Sequence, residues 1–180
     1  MKRLLYFSFV LLMVAPARAE VKSSAAHAIV IEHTITSTAS PPAVYRAFGQ
    51  IGKWWSGRHT FSGSARNLSL KVSAGQCFCE RWKSGSVEHG RVIQTHRDRL
   101  LRLAAALGPL LATGVTGVLS FELEPRPATD SLAEGTDLRI TYRISGDPSH
   151  DLAALGAPID RVIGEQAARL VRFGETGKPE

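Results

Sequence analysis

The chain has 180 residues, with 22 Lys and Arg against 16 Asp and Glu, which gives a formal net charge of +6. The basic residues are spread along the sequence and form no run with interleaved aromatic residues, so a nucleic-acid-binding protein is excluded as the working hypothesis. Two cysteines are too few for a scaffold built on several disulfides, and the core of this single-domain-sized chain has to come from apolar packing.

The first nineteen residues have the layout of a secretory signal peptide. Lys2 and Arg3 precede an apolar run over 4–14, and Ala17-Arg18-Ala19 then forms a small-x-small cleavage site. The apolar run is too short for a membrane span, which takes about 20 residues. We expect cleavage before Glu20 and a secreted or periplasmic protein with no membrane span in its mature chain; an uncleaved N-terminal anchor is the alternative.

The next part of the chain predicts short elements separated by turns. Ser40 is a good helix N-cap, and Pro41 is tolerated in a first helical turn. The predicted segments are a flexible lead-in at 20–27, a strand at 28–36, a helix from Pro41 that is ended by Gly49 and Gly52, and a Gly- and Ser-rich loop at 56–67.

Six extended segments follow this loop, and the last two alternate between apolar and polar residues. Leu119 and Phe121 share one face of the fifth segment, and Ile140 and Tyr142 share one face of the sixth, with charged residues opposite. This pattern is typical of antiparallel sheet with one dry face. The predicted strands are 68–72, 76–82, 87–95, 99–106, 115–124 and 137–145.

A helix is predicted at the C-terminal end of the domain, from about Pro158 to Arg172. One face of this helix carries a largely apolar stripe, and Gly174 ends the helix; the stripe consists of Ile159, Val162, Ile163, Gln166, Leu170 and Phe173. A run of antiparallel strands with helices on one face defines an α+β fold. The domain covers 28–174 and is followed by a polar tail at 175–180.

Four segments at the corners of this pattern resemble the START-like superfamily, also called SRPBCC or helix-grip proteins, which includes polyketide cyclases and chaperone ATPase activator-like proteins. They are Thr38–Phe48, Ile51–Trp55, Gly90-Arg91-Val92 and Gly135–Tyr142. The resemblance implies a curved antiparallel sheet of about six to seven strands wrapped on a long C-terminal helix, with a cavity between them. It says little about activity, because such a fold hosts several functions.

From the signal-peptide layout and the resemblance together we expect an exported protein that binds a hydrophobic small molecule, lipid-like or polyketide-like, without a cofactor or metal. The small residues Gly164 and Ala167 favour an open cavity, whereas a filled core would leave a plain interaction module. The large aromatic residues before and within the loop either border the cavity mouth or plug the core. The predicted ligand-binding residues are Trp54, Trp55, Phe61, Leu119, Phe121, Ile140, Tyr142, Ile159, Ile163, Gly164 and Ala167.

No nucleophile, phosphate-loop or zinc-protease motif occurs in the sequence. The hypothesis that the protein is an enzyme therefore rests on its likeness to cyclases. Such an enzyme would use acid/base groups inside the cavity, with Glu80 and Tyr142 as the candidates. The side chain of Glu80 lies inside if the aromatic face of its strand is the inner one, and the interpretation we favour places it in solvent. His89, on the next strand, is expected to be structural.

Cys77 and Cys79 are two residues apart on one predicted strand. Residues i and i+2 share a face, and their Cα atoms would lie about 6.5 Å apart, near the limit for a disulfide. A bridge would therefore need a β-bulge. Paired thiols are the expected state, with a disulfide or a metal site as the alternatives.

Overall fold

The structure is a computed structural model that describes residues 18–180, with side chains from Val21 onward. The predicted signal peptide at 1–19 therefore lies outside the described residues except for its last two positions. The elements are β1 (Arg18–Ala25), β2 (Ala28–Ser37), α1 (Pro41–Phe48), α2 (Ile51–Trp54), β3 (Leu68–Leu70), β4 (Cys77–Trp82), β5 (Gly85–His96), β6 (Leu100–Ala105), β7 (Thr116–Arg126), β8 (Gly135–Ser145) and α3 (Leu152–Thr176).

The strands form one curved sheet of eight, in the order β1-β2-β8-β7-β6-β5-β4-β3. Every neighbouring pair is antiparallel. The long helix α3 packs on β1 and β2 and on α1. The fold is α+β of the helix-grip kind, and this prediction is confirmed.

Strand β1 is a difference from the prediction, which made residues 20–27 a flexible lead-in. Val21 pairs with Ile31 and Ala25 with Ala28, across a tight connection at Ala26 and His27. The small polar side chains of this segment misled the prediction, because main-chain hydrogen bonds to β2 order a strand whatever its side chains are.

Helix α3 is longer at both ends than predicted. It begins at Leu152, so Pro158 lies inside the helix and does not start it. Proline removes one main-chain hydrogen bond there. Leu152 is fully buried, and its N–H donates to the carbonyl of Ala26 at 3.0 Å, which ties the first turn to the β1–β2 connection. Gly177, at φ 73°, ends the helix in place of Gly174.

The inner face of the sheet supplies most of the core. The alternation predicted for the last two strands is confirmed: Leu119, Phe121, Ile140 and Tyr142 are all buried. On the outer face, Glu122 pairs with Arg139 and Arg102. Among residues 18–180, no helix is both long and apolar enough to cross a bilayer.

Candidate functional site

A cavity of about 490 Å³ lies between the sheet, helix α3 and two connecting segments. Helix α3 contributes one wall, and the loop after α2 and the turn after β6 contribute two others. The lining is almost wholly apolar and consists of Trp55, Arg58, His59, Thr60, Phe61, His89, Leu107, Gly108, Pro109, Leu110, Tyr142, Leu155, Pro158, Ile159, Val162 and Ile163.

The loop wall is anchored to helix α3 by polar contacts. The N–H of Ser56 donates to Gln166 Oε1 at 2.8 Å. The carboxylate of Glu165 accepts from Arg58 at 2.9 Å and contacts His59 Nε2 at 3.0 Å. Desolvation raises the pKa of Glu165, but the hydrogen bonds from Arg58, His59 and Ser56 outweigh it and bring this pKa to about 2. The loop is therefore held by a carboxylate that stays ionised at all ordinary pH values.

Glu80 holds the same loop from the sheet side. Its side chain is fully buried, and its oxygens accept from the N–H of Phe61 at 3.0 Å and of Ser62 at 2.6 Å. The expected position in solvent was wrong, because the aromatic face of β4 is the inner face. Burial alone raises the pKa of Glu80, but the hydrogen bonds from Ser62, Phe61 and His89 outweigh burial and lower it.

A β-bulge brings His89 into this site. Phe78 pairs with Gly90 and the next residue, Cys79, pairs with Glu88, so the register skips His89. In a regular ladder continued from Gly90, His89 would lie opposite Cys79 and share its outer face. The bulge instead turns the imidazole inward, to Glu80. His89 Nε2 lies 2.9 Å from Glu80 Oε2.

Gly90 allows strand β5 to take this path. A Cβ at Gly90 would lie 2.7 Å from both the carbonyl oxygen of Ala104 and the Cβ of Ala105 on β6. A glycine inside a strand is a signal for a bulge or a close backbone approach, and here it marks both. That signal was present in the sequence, but the prediction did not use it to place His89.

The His89 ring lies close to two aromatic side chains. Its centroid is 4.9 Å from that of Phe78 and 5.8 Å from that of Phe61, with interplanar angles of 32° and 38°. Phe61 is 53% exposed, so it covers the site from the solvent side. The side chain of His89 is thereby held by its contact with Glu80 and by packing against the rings of Phe61 and Phe78.

Tyr142, the other predicted acid/base residue, has a structural role in this arrangement. Its hydroxyl donates to the carbonyl of Ala105 at 3.0 Å and accepts from the N–H of Leu107 at 3.1 Å. Burial raises its pKa to about 12. Both hydrogen-bonding roles of the hydroxyl are taken, and the proton is held too tightly for acid catalysis near neutral pH.

The predicted ligand-binding residues divide into two groups. Trp55, Phe61, Tyr142, Ile159 and Ile163 line the cavity. The others are packed elsewhere, because strand alternation identifies the inner face of the sheet but not the part of that face that α1 and α2 cover. Those placed away from the cavity are Trp54, Leu119, Phe121, Ile140, Gly164 and Ala167.

Three members of the second group show what lies at these positions in place of a cavity. Trp54 is buried in the core, and its Nε1 donates to the carbonyl of Ala47 at 2.7 Å. Gly164 does not leave open space: it faces His33 of β2, and Ala167 is buried in the same interface between sheet and helix. The sequence-based prediction also missed the cavity wall formed by residues 107–110, because it assigned them no role beyond ending a strand.

Cys77 and Cys79 form a disulfide, with their Cα atoms 5.3 Å apart. This outcome differs from the expected pair of thiols. The register irregularity between Phe78 and Cys79 lies beside the bridge, but its extra residue, His89, is on the neighbouring strand β5 and not on the strand that carries the cysteines. The Glu88 carboxylate lies close to both sulfurs, so these three residues form a possible metal group once the cysteines are reduced.

Comparisons with known proteins bear on the fold. No protein-family model matches the chain, and no curated protein matches it in sequence. A solved Mesorhizobium loti protein is 20% identical over 81% of this chain and 96% of its own, with a TM-score of 0.53. Norcoclaurine synthase from Thalictrum flavum, solved with a transition-state analogue, is 12% identical over 84% and 96%, with a TM-score of 0.50.

A third similar structure is the di-domain ARO/CYC protein StfQ of the steffimycin biosynthetic pathway. It is 11% identical, with a TM-score of 0.54, and the match covers 83% of this chain but 50% of StfQ. Identities this low show the shared fold alone. Fold and cavity together define a helix-grip protein with an apolar cavity under its C-terminal helix.

Proposed function

We propose that this protein is an exported member of the START-like superfamily that binds an apolar small molecule, lipid-like or polyketide-like. The observation that carries the proposal is the cavity of about 490 Å³ with its apolar lining. Cavities of about 300–1,000 Å³ with mostly hydrophobic walls are the usual sites of small ligands. The aromatic rings of Trp55 and Phe61 add apolar contact surface.

The similar structures support the same class of function. Norcoclaurine synthase carries a transition-state analogue, and StfQ belongs to a biosynthetic pathway, so helix-grip proteins do accommodate organic molecules. A filled core, the basis for a plain interaction module, does not fit a chain with a cavity of this size.

Export rests on the N-terminal sequence. The basic start, the apolar run and the Ala17-Arg18-Ala19 triplet support cleavage before Glu20. Cleavage there leaves Glu20–Ala25 to pair with β2. Intact-mass analysis of the natively exported protein is expected to give Glu20 as its first residue, and retention of residues 1–19 would contradict export by this route.

Native mass spectrometry of protein taken from its own exported fraction tests ligand binding without a guess at the ligand. We expect a co-purifying apolar molecule. Val162, on the cavity wall, is the position for a filling variant, and Val162→Trp is expected to lose the ligand. Ala168→Trp adds the same side chain on an exposed face of α3 and is expected to keep it.

A protein without ligand in both its wild-type and Ala168→Trp forms would contradict the proposal. So would a Val162→Trp variant that retains the ligand at full occupancy.

A second candidate is a cyclase-like enzyme, and the contact between His89 and Glu80 favours it. An imidazole oriented by a carboxylate can accept and return a proton. If the protein is such an enzyme, the molecule that co-purifies with the His89→Phe variant is unconverted substrate, and incubation with wild-type protein changes its chromatographic retention or its mass. An unchanged ligand supports binding alone.

A further inference from the structure

His89 is a polar side chain in an otherwise apolar part of the cavity wall. It is 4% exposed, and its Nε2 is engaged by Glu80. Its other ring nitrogen, Nδ1, has no hydrogen-bond partner in the described part of the chain. Nδ1 is also not among the fully enclosed, unpaired polar atoms of residues 21–180, so it keeps some accessible surface, and His89 lines the cavity.

The carboxylate of Glu80 determines the state of this free nitrogen. A carboxylate only accepts hydrogen bonds, so Nε2 carries the proton that lies between the two side chains. In the neutral imidazole the proton on Nε2 leaves Nδ1 with an unshared electron pair. The backbone N–H groups of Phe61 and Ser62 keep Glu80 in place, so the His89 ring is held in one orientation with an acceptor free.

The other polar groups of the cavity wall are already engaged. The Tyr142 hydroxyl donates to Ala105, and the Thr60 hydroxyl donates to the carbonyl of Gly57 at 2.7 Å. Arg58 and His59 are bound to Glu165 and lie toward solvent. The Thr60 oxygen can still accept a hydrogen bond, but Thr60 is only half-buried, and the Tyr142 hydroxyl both donates and accepts already. A ligand that needs a deeply buried hydrogen-bond acceptor therefore meets it at His89.

We propose that His89 Nδ1 is the polar recognition point of the cavity and accepts a hydrogen bond from an O–H group, phenolic or enolic, on an otherwise apolar and planar ligand. The inference rests on the proposed function and adds the class of ligand to it. If the ligand proton moves onto Nδ1, the imidazolium faces the carboxylate of Glu80 and the same contact persists as an ion pair. The flat rings of Phe61 and Phe78 beside His89 suit a planar group at this position.

A matched pair of ligands tests the inference on the wild-type protein. The probes are 2-naphthol and 2-methoxynaphthalene, which have similar apolar surfaces, but only the naphthol has an O–H donor. Calorimetric titration is expected to give an affinity about two- to tenfold higher for 2-naphthol, the effect of one net hydrogen bond. Equal affinities would overturn the role of His89 and leave the proposed function standing. No binding of either probe, together with no co-purifying ligand, would overturn the proposed function itself.

Variants then assign the preference to a residue. His89→Phe keeps an aromatic ring without a nitrogen, and it is expected to bind both probes with equal affinity. His96→Phe, at the exposed end of the same strand, is the matched control and is expected to keep the preference for 2-naphthol. A preference that survives in His89→Phe, or that disappears in His59→Phe alone, would contradict the assignment.

Imidazole nitrogen NMR on the wild-type protein covers the case in which His89→Phe does not fold. Free protein is expected to show His89 protonated at Nε2. Titration with 2-naphthol is expected to shift the Nδ1 resonance, and 2-methoxynaphthalene is expected to leave it in place. The inference would be overturned if the neutral His89 ring of the ligand-free protein carried its proton on Nδ1. It would also be overturned if both probes shifted the Nδ1 resonance equally.

Discussion

Gly164 of helix α3 lies directly against the ring of His33 on β2: a Cβ at this position would be 2.8 Å from His33 Cε1. His33 is buried, and its Nε2 lies 2.9 Å from Asp160 Oδ1 on the same helix. The glycine therefore makes room for a buried imidazole that links sheet and helix. The sequence had suggested that it makes room for a ligand.

A pair of glycine substitutions in α3 tests this relationship. Gly164→Ala gains about 1 kcal/mol of helix propensity but has to displace the His33 ring, and we expect a net loss of about 1 kcal/mol in unfolding free energy. Gly156→Ala meets no atom closer than 3.9 Å and is expected to gain about 0.5–1 kcal/mol. Urea denaturation measures both stability changes, and changes of the same sign in the two variants would contradict the packing described. Neither variant is expected to change ligand binding.

Replacing Glu80 by Gln is expected to destabilise the protein. Gln has one acceptor oxygen, so it cannot accept from both Phe61 and Ser62 while it also orients His89. One unpaired buried N–H costs about 1–3 kcal/mol, and we expect a loss in this range by urea denaturation. Glu124→Gln, at an exposed position of β7, is the control and is expected to stay within about 0.5 kcal/mol of wild type. A neutral Glu80→Gln would show that the loop does not depend on this carboxylate.

Acid is expected to loosen the cavity wall at Glu165. Its pKa in the folded protein is about 2, below the ordinary 4.5, so its contribution to stability is complete above pH 4.5 and is lost as the pH falls toward 2. Glu165→Gln lacks this contribution, and the stability difference from wild type should shrink over that range. Amide hydrogen exchange at residues 56–62 should be faster in the variant at pH 7. Glu134→Gln, in an exposed loop, serves as control, and a pH-independent difference would contradict the assignment.

The Cys77–Cys79 disulfide is expected to contribute little to stability or binding. It closes a loop of about three residues, and the chain-entropy relation gives about 1–2 kcal/mol. The Cys77→Ser/Cys79→Ser double variant should lose no more than this in thermal unfolding and should bind ligand as wild type does. Mass-resolved alkylation should label neither cysteine in native protein and both cysteines after reduction. Stoichiometric zinc in that protein would contradict the prediction, because a metal site needs free thiolates.

The alternation of apolar and polar residues predicted the inner face of the sheet correctly where a strand is regular. On β7 and β8 every second residue is buried, so Leu119, Phe121, Ile140 and Tyr142 were correctly assigned to the inner face. The same rule could not tell which part of that face the helices cover. The cavity depends on the path of the loop after α2 and of Leu107–Leu110, and the contacts that fix these paths join residues far apart in sequence.

The wrong position predicted for Glu80 and the unforeseen contact of His89 with it have a shared physical cause. Alternation predicts that neighbours on a strand face opposite sides, and it gives no way to choose the inner side for a short strand of mixed residues such as β4. On β5 the bulge breaks the alternation itself. A carboxylate and an imidazole that looked unrelated in sequence thus became the most buried polar pair of the candidate site.

The bulge at His89 makes the chemistry of this cavity depend on the spacing of residues as much as on their identity. His89 is the residue that the ladder skips between Glu88 and Gly90, so deleting it would restore a regular ladder and leave the neighbouring residues in their present register. A substitution at His89 would keep the bulge and change one side chain, whereas the deletion would remove the bulge and the inward-facing polar group together. Relatives that share this fold can therefore acquire or lose a polar group in the cavity through one insertion or deletion, with all their other cavity residues unchanged.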